Sequence, residues 1–360
     1  MKIAVVVGTR PEAIKLAPVI TLLGARAHVV HTGQHHSPGM IGHVAPHTTV
    51  PATTHPTRGH QLGHLISALA HELDHERPDA VLVQGDTTSA LAGALAANTT
   101  GTPLVHLEAG LRSGDRTMPE EHNRILIDHL ADLCCAPTVQ AERNLIIENI
   151  PTDRIHLTGN TIVEAALAAL PDDVAQTQVL ESVGLEPRRF VLATIHRPEN
   201  ADDPGKLAAI LRQLGEIPAP VLFPLHPRTA ASIQRFELSG LAARLQVCEP
   251  LGYPELLTLA RNAAGLVTDS GGLQEEATVL GRPLLVVRRS NERPEAEWLT
   301  GTRTVPDAGQ IAAVATGWLT DLDRPPYRHP RTTPFGDGNA SERVVHLLTT
   351  RFAQRQHAAS

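Results

Sequence analysis

The chain has 360 residues and a formal net charge of −7, with 31 Lys and Arg against 38 Asp and Glu and no basic block, which argues against nucleic acid as its main partner. Apolar residues make up 42% and aromatics only 2%, so a length that suggests two domains must build aliphatic cores. Cys134, Cys135 and Cys248 form neither a disulfide framework nor a zinc spacing, no apolar run approaches membrane-spanning length, and the chain opens at once on a strand pattern; the expectation is a protein of the reduced cytoplasm with no metal, cofactor or membrane partner.

Residues 3–7, IAVVV, are an unbroken apolar run, as a strand buried on both faces requires. Gly8-Thr9-Arg10 turns the chain, and Pro11 opens a predicted helix over residues 12–23. Arg10 and Lys15 stand at that helix start, where the carboxyl end of the strand opens; the position favours contact with a phosphate or leaving group over a solvated basic pair. Residues 27–32 predict a second strand ending at Gly33-Gln34-His35-His36, and residues 37–57, rich in His, Pro and Thr, predict a mobile loop.

Residues 58–77 predict a helix with Leu62, Leu65, Ile66, Leu69 and Leu73 on one face. The helix contains His71-Glu72-Leu73-Asp74-His75, the zinc-protease string H-E-x-x-H. Both histidines point away from the leucine stripe, so a solvated face is the better reading. Residues 80–84 and 104–107 predict strands that end at Gly85-Asp86-Thr87 and Glu108-Ala109-Gly110, and Pro119-Glu120-Glu121 opens another helix. Asp86, Glu108 and Glu120 therefore fall at carboxyl ends of strands or just beyond, where an open parallel sheet gathers its site residues. Each alone is more often a cap than a catalyst; three together, beside Arg10 and Lys15, shift the balance toward a site.

Residues 133–136 and 155–158 complete the first sheet, and the polar stretch 171–187 reads as a linker. The alternation then repeats, with strands at 189–194, 221–225, 245–248, 266–268 and 284–287. The stretch 264–280 runs strand, Thr268-Asp269-Ser270-Gly271-Gly272, helix. A bulky anion can approach glycine backbone closely, and the helix start offers unpaired N–H groups, so the turn is a phosphate seat. Glu275 or Glu276 could take ribose hydroxyls. Two plainer readings are an ordinary helix capped by Asp269 or Ser270 and the serine-protease string Asp-Ser-Gly-Gly, which lacks any protease scaffold here. Arg288 to Glu295 form a basic turn near the seat. Neither G-x-G-x-x-G nor a Walker loop is present, which gives no support to a dinucleotide or ATP site. Residues 339–357 predict a last helix that packs back on the first domain. The expected fold is α/β, with domains at 1–170 and 171–338.

Taken in order, GTRPEAIKLAPV, TGQH, QGDTTSALA, HLEAGLRSGDRTMPEEHNR, TGNTIVEA, HRPEN, TDSGGLQEE, LGRPLLVVR, ERPEA and FGDGNASER span almost the whole chain. Together they resemble the non-hydrolysing UDP-N-acetylglucosamine 2-epimerases. The resemblance implies two Rossmann-like domains facing a cleft, a GT-B-like architecture, and interconversion of UDP-N-acetylglucosamine and UDP-N-acetylmannosamine by a homodimer. It places Ser270, Gly271 and Gly272 on the diphosphate, Glu276 on the ribose, Arg10 and Arg293 as added positive charge, and His196 near the diphosphate. Lys15, Asp86, Glu108 and Glu120 would face the sugar. Arg197 and Glu199 correspond to a regulatory site for a second UDP-N-acetylglucosamine, whereas His36 stands where the family usually has Arg.

The C2 proton of the sugar is not next to a carbonyl and is barely acidic. Departure of UDP from C1 builds positive charge on the ring and acidifies C2; a carboxylate then takes the proton, giving a glycal to which UDP and a proton return. The resemblance implies this route. The rivals are a GT-B glycosyltransferase and an epimerase of a modified UDP-2-acetamido sugar.

Overall fold

The computed structural model describes residues 1–33, 44–51, 57–297, 302–320 and 333–352. The chain divides into two compact units, Met1–Ala165 joined by the segment from Phe335 onward, and Ala166–Pro334.

In the first unit, β1 (Ile3–Val7), β2 (Ala27–His31), β3 (Thr48–Thr49), β4 (Ala80–Gln84), β5 (Leu104–Leu107), β6 (Leu133–Ala136) and β7 (Ile155–Leu157) form a parallel sheet in the order β3-β2-β1-β4-β5-β6-β7. All five residues of β1 are buried, as the apolar run requires of a central strand. The helix Thr88–Thr100 is buried nearly all round, from Ser89 to Ala97, because alanine lets strands and neighbouring helices approach it on every side. Leu65, Leu69 and Leu73 of the helix Arg58–Glu76 pack into the same core, and His71 and His75 are exposed on its far side. Glu72, the acid of that string, bonds instead to His28, 2.8 Å away.

The second unit orders its strands β10 (Gln246–Cys248), β9 (Val221–Pro224), β8 (Val191–Thr194), β11 (Gly265–Thr268), β12 (Leu284–Val287) and β13 (Arg303–Val305). Strand order reverses at β8 and β11 here, and at β1 and β4 in the first unit. Such reversals are where α/β sheets place their ligands, at the carboxyl ends of the strands.

Four expectations need correction. Residues 171–187 are not a bare linker: they hold the helix Asp173–Val183, capped by Asp172, which accepts from the N–H of Ala175. This helix buries only Gln176 and Leu180, so its apolar period was too thin to register. The expected loop 37–57 contains β3, paired with β2 at Val30 and His31; its residues 37–43 and 52–56 lie outside the described residues, as do Gln34, His35 and His36. The second sheet has a further edge strand, β13. The cores are mainly aliphatic, yet the largest fully buried side chains include Phe190, Phe223 and Phe335.

The return segment is fixed by named contacts. The Asn160 N–H donates to the Phe335 carbonyl at 2.7 Å, and the Ser341 N–H to Glu164 at 2.9 Å. The helix Ala340–Phe352 then buries Val344, Leu348 and Phe352 in the core that contains Leu16 and Val19 of the helix Arg10–Leu23. The expected last helix beyond 352 lies outside the described residues.

Candidate functional site

Each unit carries a polar constellation at the carboxyl ends of its central strands. In the first, Lys15 lies on the second turn of the helix Arg10–Leu23, where the Thr9 N–H and the Gly8 N–H both donate to Glu12, at 2.6 and 2.8 Å. The Lys15 ammonium is 2.6 Å from a Glu108 carboxylate oxygen, and both side chains are buried. The Gln84 side-chain amide also donates to that oxygen. Glu108 has φ +69°, a region costly for a side chain with a Cβ. The turn after β5 thus holds a strained carboxylate where a strand would otherwise simply end.

Asp86 lies one turn away, half-buried, and forms an ion pair with Arg124. Its backbone carbonyl accepts from the Asn123 amide at 2.7 Å, and Asn123 accepts from Arg58 at 2.6 Å. Thr87 caps the next helix through the Ala90 N–H and donates to Glu12 at 2.6 Å. Glu12 is buried, which pushes its carboxyl above its ordinary value, with the bonds from Thr87, Gly8 and Thr9 opposing. Glu120 is half-buried in the first turn of the helix Pro119–Leu130, the same helix that supplies Asn123 and Arg124. Its neighbour Glu121 is buried and accepts the N–H groups of Ser113 and Gly114, both at 2.9 Å. Arg10 is the first residue of its helix and half-buried.

The second unit gathers its groups around Asp269, a fully buried side chain just past β11. Asp269 does not cap the helix Gly272–Val279; its carboxylate accepts the N–H groups of His196 and Arg197 and the amide of Asn200, at 2.9 to 3.1 Å. It also lies 3.1 Å from His196 Nδ1. Burial would raise its pKa, but the hydrogen bond and charge of His196, the Arg197 N–H and Asn200 hold it below the ordinary carboxylate range. An ionised carboxylate only accepts, so the Nδ1 of His196 carries a proton and Nε2 is the nitrogen left to meet a ligand.

Ser270, Gly271 and Gly272 follow, each half-buried. A Cβ on Gly271 would come within 2.9 Å of the Arg293 guanidinium, so the backbone of this turn passes close against that side chain. Arg293 is itself held by Glu275 at 2.6 Å and Glu292 at 2.9 Å, and Arg288 grips Glu292 through both terminal nitrogens. Glu275 is fully buried on Arg293, which leaves Glu276, 8% exposed, as the carboxylate nearer the surface. Arg197 lies 3.9 Å from Glu292, and Glu199 is half-buried in the short helix Pro198–Ala201.

The structure therefore joins Lys15 to Glu108, Asp86 to the helix that carries Glu120, and His196 to the strand end that carries Ser270. Residue-type reasoning missed Gln84, Glu12, Arg124, Asn200, Asp269 and Glu292 as partners. Asp269 and Arg124 stood inside conspicuous strings, TDSGG and PEEHNR, but their targets are 73 and 38 residues away in the chain.

Two doubly wound parallel sheets with charged clusters at their carboxyl edges define a Rossmann-like α/β enzyme class. The UDP-N-acetylglucosamine 2-epimerase family pattern matches residues 23–349. The UDP-N-acetylglucosamine 2-epimerase of Methanocaldococcus jannaschii is 37% identical, across 97% of this chain and 99% of that protein. A crystal structure of that archaeon's enzyme with UDP-GlcNAc and UDP superposes with a TM-score of 0.85 at 36% identity, covering 97% of this chain and all of that one (100%). The UDP-2,3-diacetamido-2,3-dideoxy-D-glucuronate 2-epimerase of Pseudomonas aeruginosa is 38% identical over 81% of this chain and 84% of that protein. This chain belongs to the UDP-N-acetylglucosamine 2-epimerase family.

Proposed function

We propose that the protein interconverts UDP-N-acetylglucosamine and UDP-N-acetylmannosamine by removing and restoring the C2 proton. The observation that carries this reading is the cluster of Asp86, Glu108 and Lys15 at neighbouring strand ends of a chain of this family. Gly271 and Gly272 receive the diphosphate on backbone N–H groups beside the Ser270 hydroxyl, Glu276 takes the ribose, Arg10 and Arg293 add positive charge, and His196 lies near the diphosphate. As the C1–O bond breaks, its electron pair leaves with UDP. The C2–H electrons form the C1–C2 double bond of a glycal, and the proton passes to a carboxylate among Asp86, Glu108 and Glu120. Return of UDP to C1 and of a proton to the opposite face of C2 gives the epimer. Lys15 balances the charge of Glu108, so the two act as a pair. Arg197 and Glu199 belong to a second, regulatory UDP-N-acetylglucosamine site. The working protein is a cytoplasmic homodimer.

Incubation with UDP-N-acetylglucosamine in deuterated water tests the reading. The protein should place deuterium at C2 with no acceptor present, which a GT-B glycosyltransferase would not do. Positioned proton transfer is worth about 10²–10⁴-fold, so the variant that removes the main base among Asp86→Asn, Glu108→Gln and Glu120→Gln should lose at least that in exchange. Wild-type exchange in all three would overturn the assignment. The likeness to the diacetamido-glucuronate enzyme favours one second reading, a modified UDP-2-acetamido sugar as substrate, and the same exchange run on that sugar decides between them.

A further inference from the structure

His106 lies on β5, two residues before Glu108, and its side chain is fully buried. Its Nε2 is 2.9 Å from the carbonyl oxygen of Gly85, the residue before Asp86. Its Nδ1 is 2.6 Å from Asp128 Oδ1. The other oxygen of Asp128 accepts the Gly110 N–H at 3.1 Å and lies 2.8 Å from an Arg112 terminal nitrogen. Arg112 in turn pairs with Glu148. A carbonyl can only accept, so Nε2 carries a proton. A carboxylate that already takes an amide and a guanidinium is ionised, so Nδ1 carries one as well. The ring is then an imidazolium, buried between two acceptors. Burial would raise the Asp128 pKa, but His106 and Arg112 hold it below the ordinary carboxylate range. Cys134, paired with His106 on the adjoining strand, has its thiol pushed up by burial and stays neutral.

We propose that His106 is a positioning residue for the proton transfer: as an imidazolium anchored by Asp128, it clamps the Gly85 carbonyl and so fixes the turn bearing Asp86 against the strand end bearing Glu108. The Gly85 N–H already donates to the Leu107 carbonyl at 3.0 Å, so the His106 bond closes a second tie between the same two segments. The Gly110 N–H on Asp128 extends the clamp to the far side of Glu108. One buried cation thereby holds the backbone on which two acid/base candidates stand, without touching the sugar. The inference rests on the function proposed above.

The charge state is tested on the wild-type protein by NMR of isotope-labelled histidine. Both ring nitrogens of His106 should be protonated, Nε2 on the Gly85 carbonyl and Nδ1 on Asp128. A neutral ring, protonated on one nitrogen, overturns the proposal. The role is tested with His106→Gln and Asp128→Asn in the deuterium exchange assay. Misplacement of reacting groups by about 1 Å can cost 10²-fold, so turnover should fall by roughly that much while KM and the affinity for UDP stay at wild-type values. A residue that only maintained the fold would lower the active fraction and leave turnover per folded molecule unchanged; that result, or wild-type turnover in a folded variant, overturns the proposal. Asp86→Asn and Glu108→Gln separate the two failures. Full exchange in both removes these two from the proton transfer and with them the basis of the clamp. Loss in both beside full activity in His106→Gln overturns this inference alone.

Discussion

At the scale of single residues, the second unit turns on one carboxylate. Asp269 satisfies two backbone N–H groups, the Asn200 amide and His196 at once, all from the turn and the short helix that follow β8. Replacing it with alanine strips these donors of their acceptor, and leaving a buried one such as the Asn200 amide unpaired costs about 1–3 kcal/mol. Asp269→Ala should therefore lower stability by about 3 kcal/mol or more in a urea titration and weaken UDP binding, because His196 loses the group that orients it. The same carboxylate sets a pH dependence. Its folded pKa lies below its unfolded value, so its contribution is complete at neutral pH and is lost as pH falls through the folded value. Asp128 has the same sign. Thermal stability should therefore decline from about pH 5 downward, and Asp269→Asn should make that decline shallower. Glu12, whose pKa burial raises, has the opposite sign: its contribution is fully present below the unfolded value and fades as pH rises.

At the scale of elements, the turn after β5 shows how tightly the site is built. Gly110 has φ +83°, and a Cβ there would lie 2.2 Å from the Ala141 carbonyl oxygen, a backbone atom that cannot swing aside. Left-handed strain of about 1–2 kcal/mol and overpacking of about 1–3 kcal/mol both apply. Gly110→Ala should lower stability by about 3 kcal/mol, read as a shifted urea midpoint, and should displace the Asp128 clamp with it. The sequence made the long elements plain. Continuous apolar runs marked β1 and β4, and the leucine stripe placed the helix Arg58–Glu76 to within a residue. It hid the helix Asp173–Val183, which buries two side chains, and β13, whose three residues alternate too briefly to form a pattern. It showed which charged residues stand at strand ends, because strand ends are local. It did not show that Lys15 meets Glu108, a contact across 93 positions, or that Asp269 faces backwards to His196 rather than forwards to its own helix. Partner choice between carboxylates depends on packing, and no local period encodes it.

At the scale of the whole molecule, the first unit is discontinuous. Its sheet comes from residues before Ala165, but part of its core comes from Val344, Leu348 and Phe352. Fully burying side chains of this kind is worth about 1.5–3 kcal/mol each. Truncation after Gly338 should thus destabilise the first unit by several kcal/mol and raise hydrogen exchange in β1 and the helix Arg10–Leu23. Protection in β8, β11 and β12 should stay near that of the full chain, since their core draws nothing from the removed helix.

That discontinuity also dictates an order of events during synthesis. The ribosome delivers every residue of the second unit before it delivers the helix that seals the first. Chains that have emerged from the ribosome only as far as position 335 should accordingly hold a finished second unit beside a first one whose hydrophobic flank is still open. In the cell, the half that carries the acid/base candidates would be the later to mature and the more dependent on chaperones until that helix emerges.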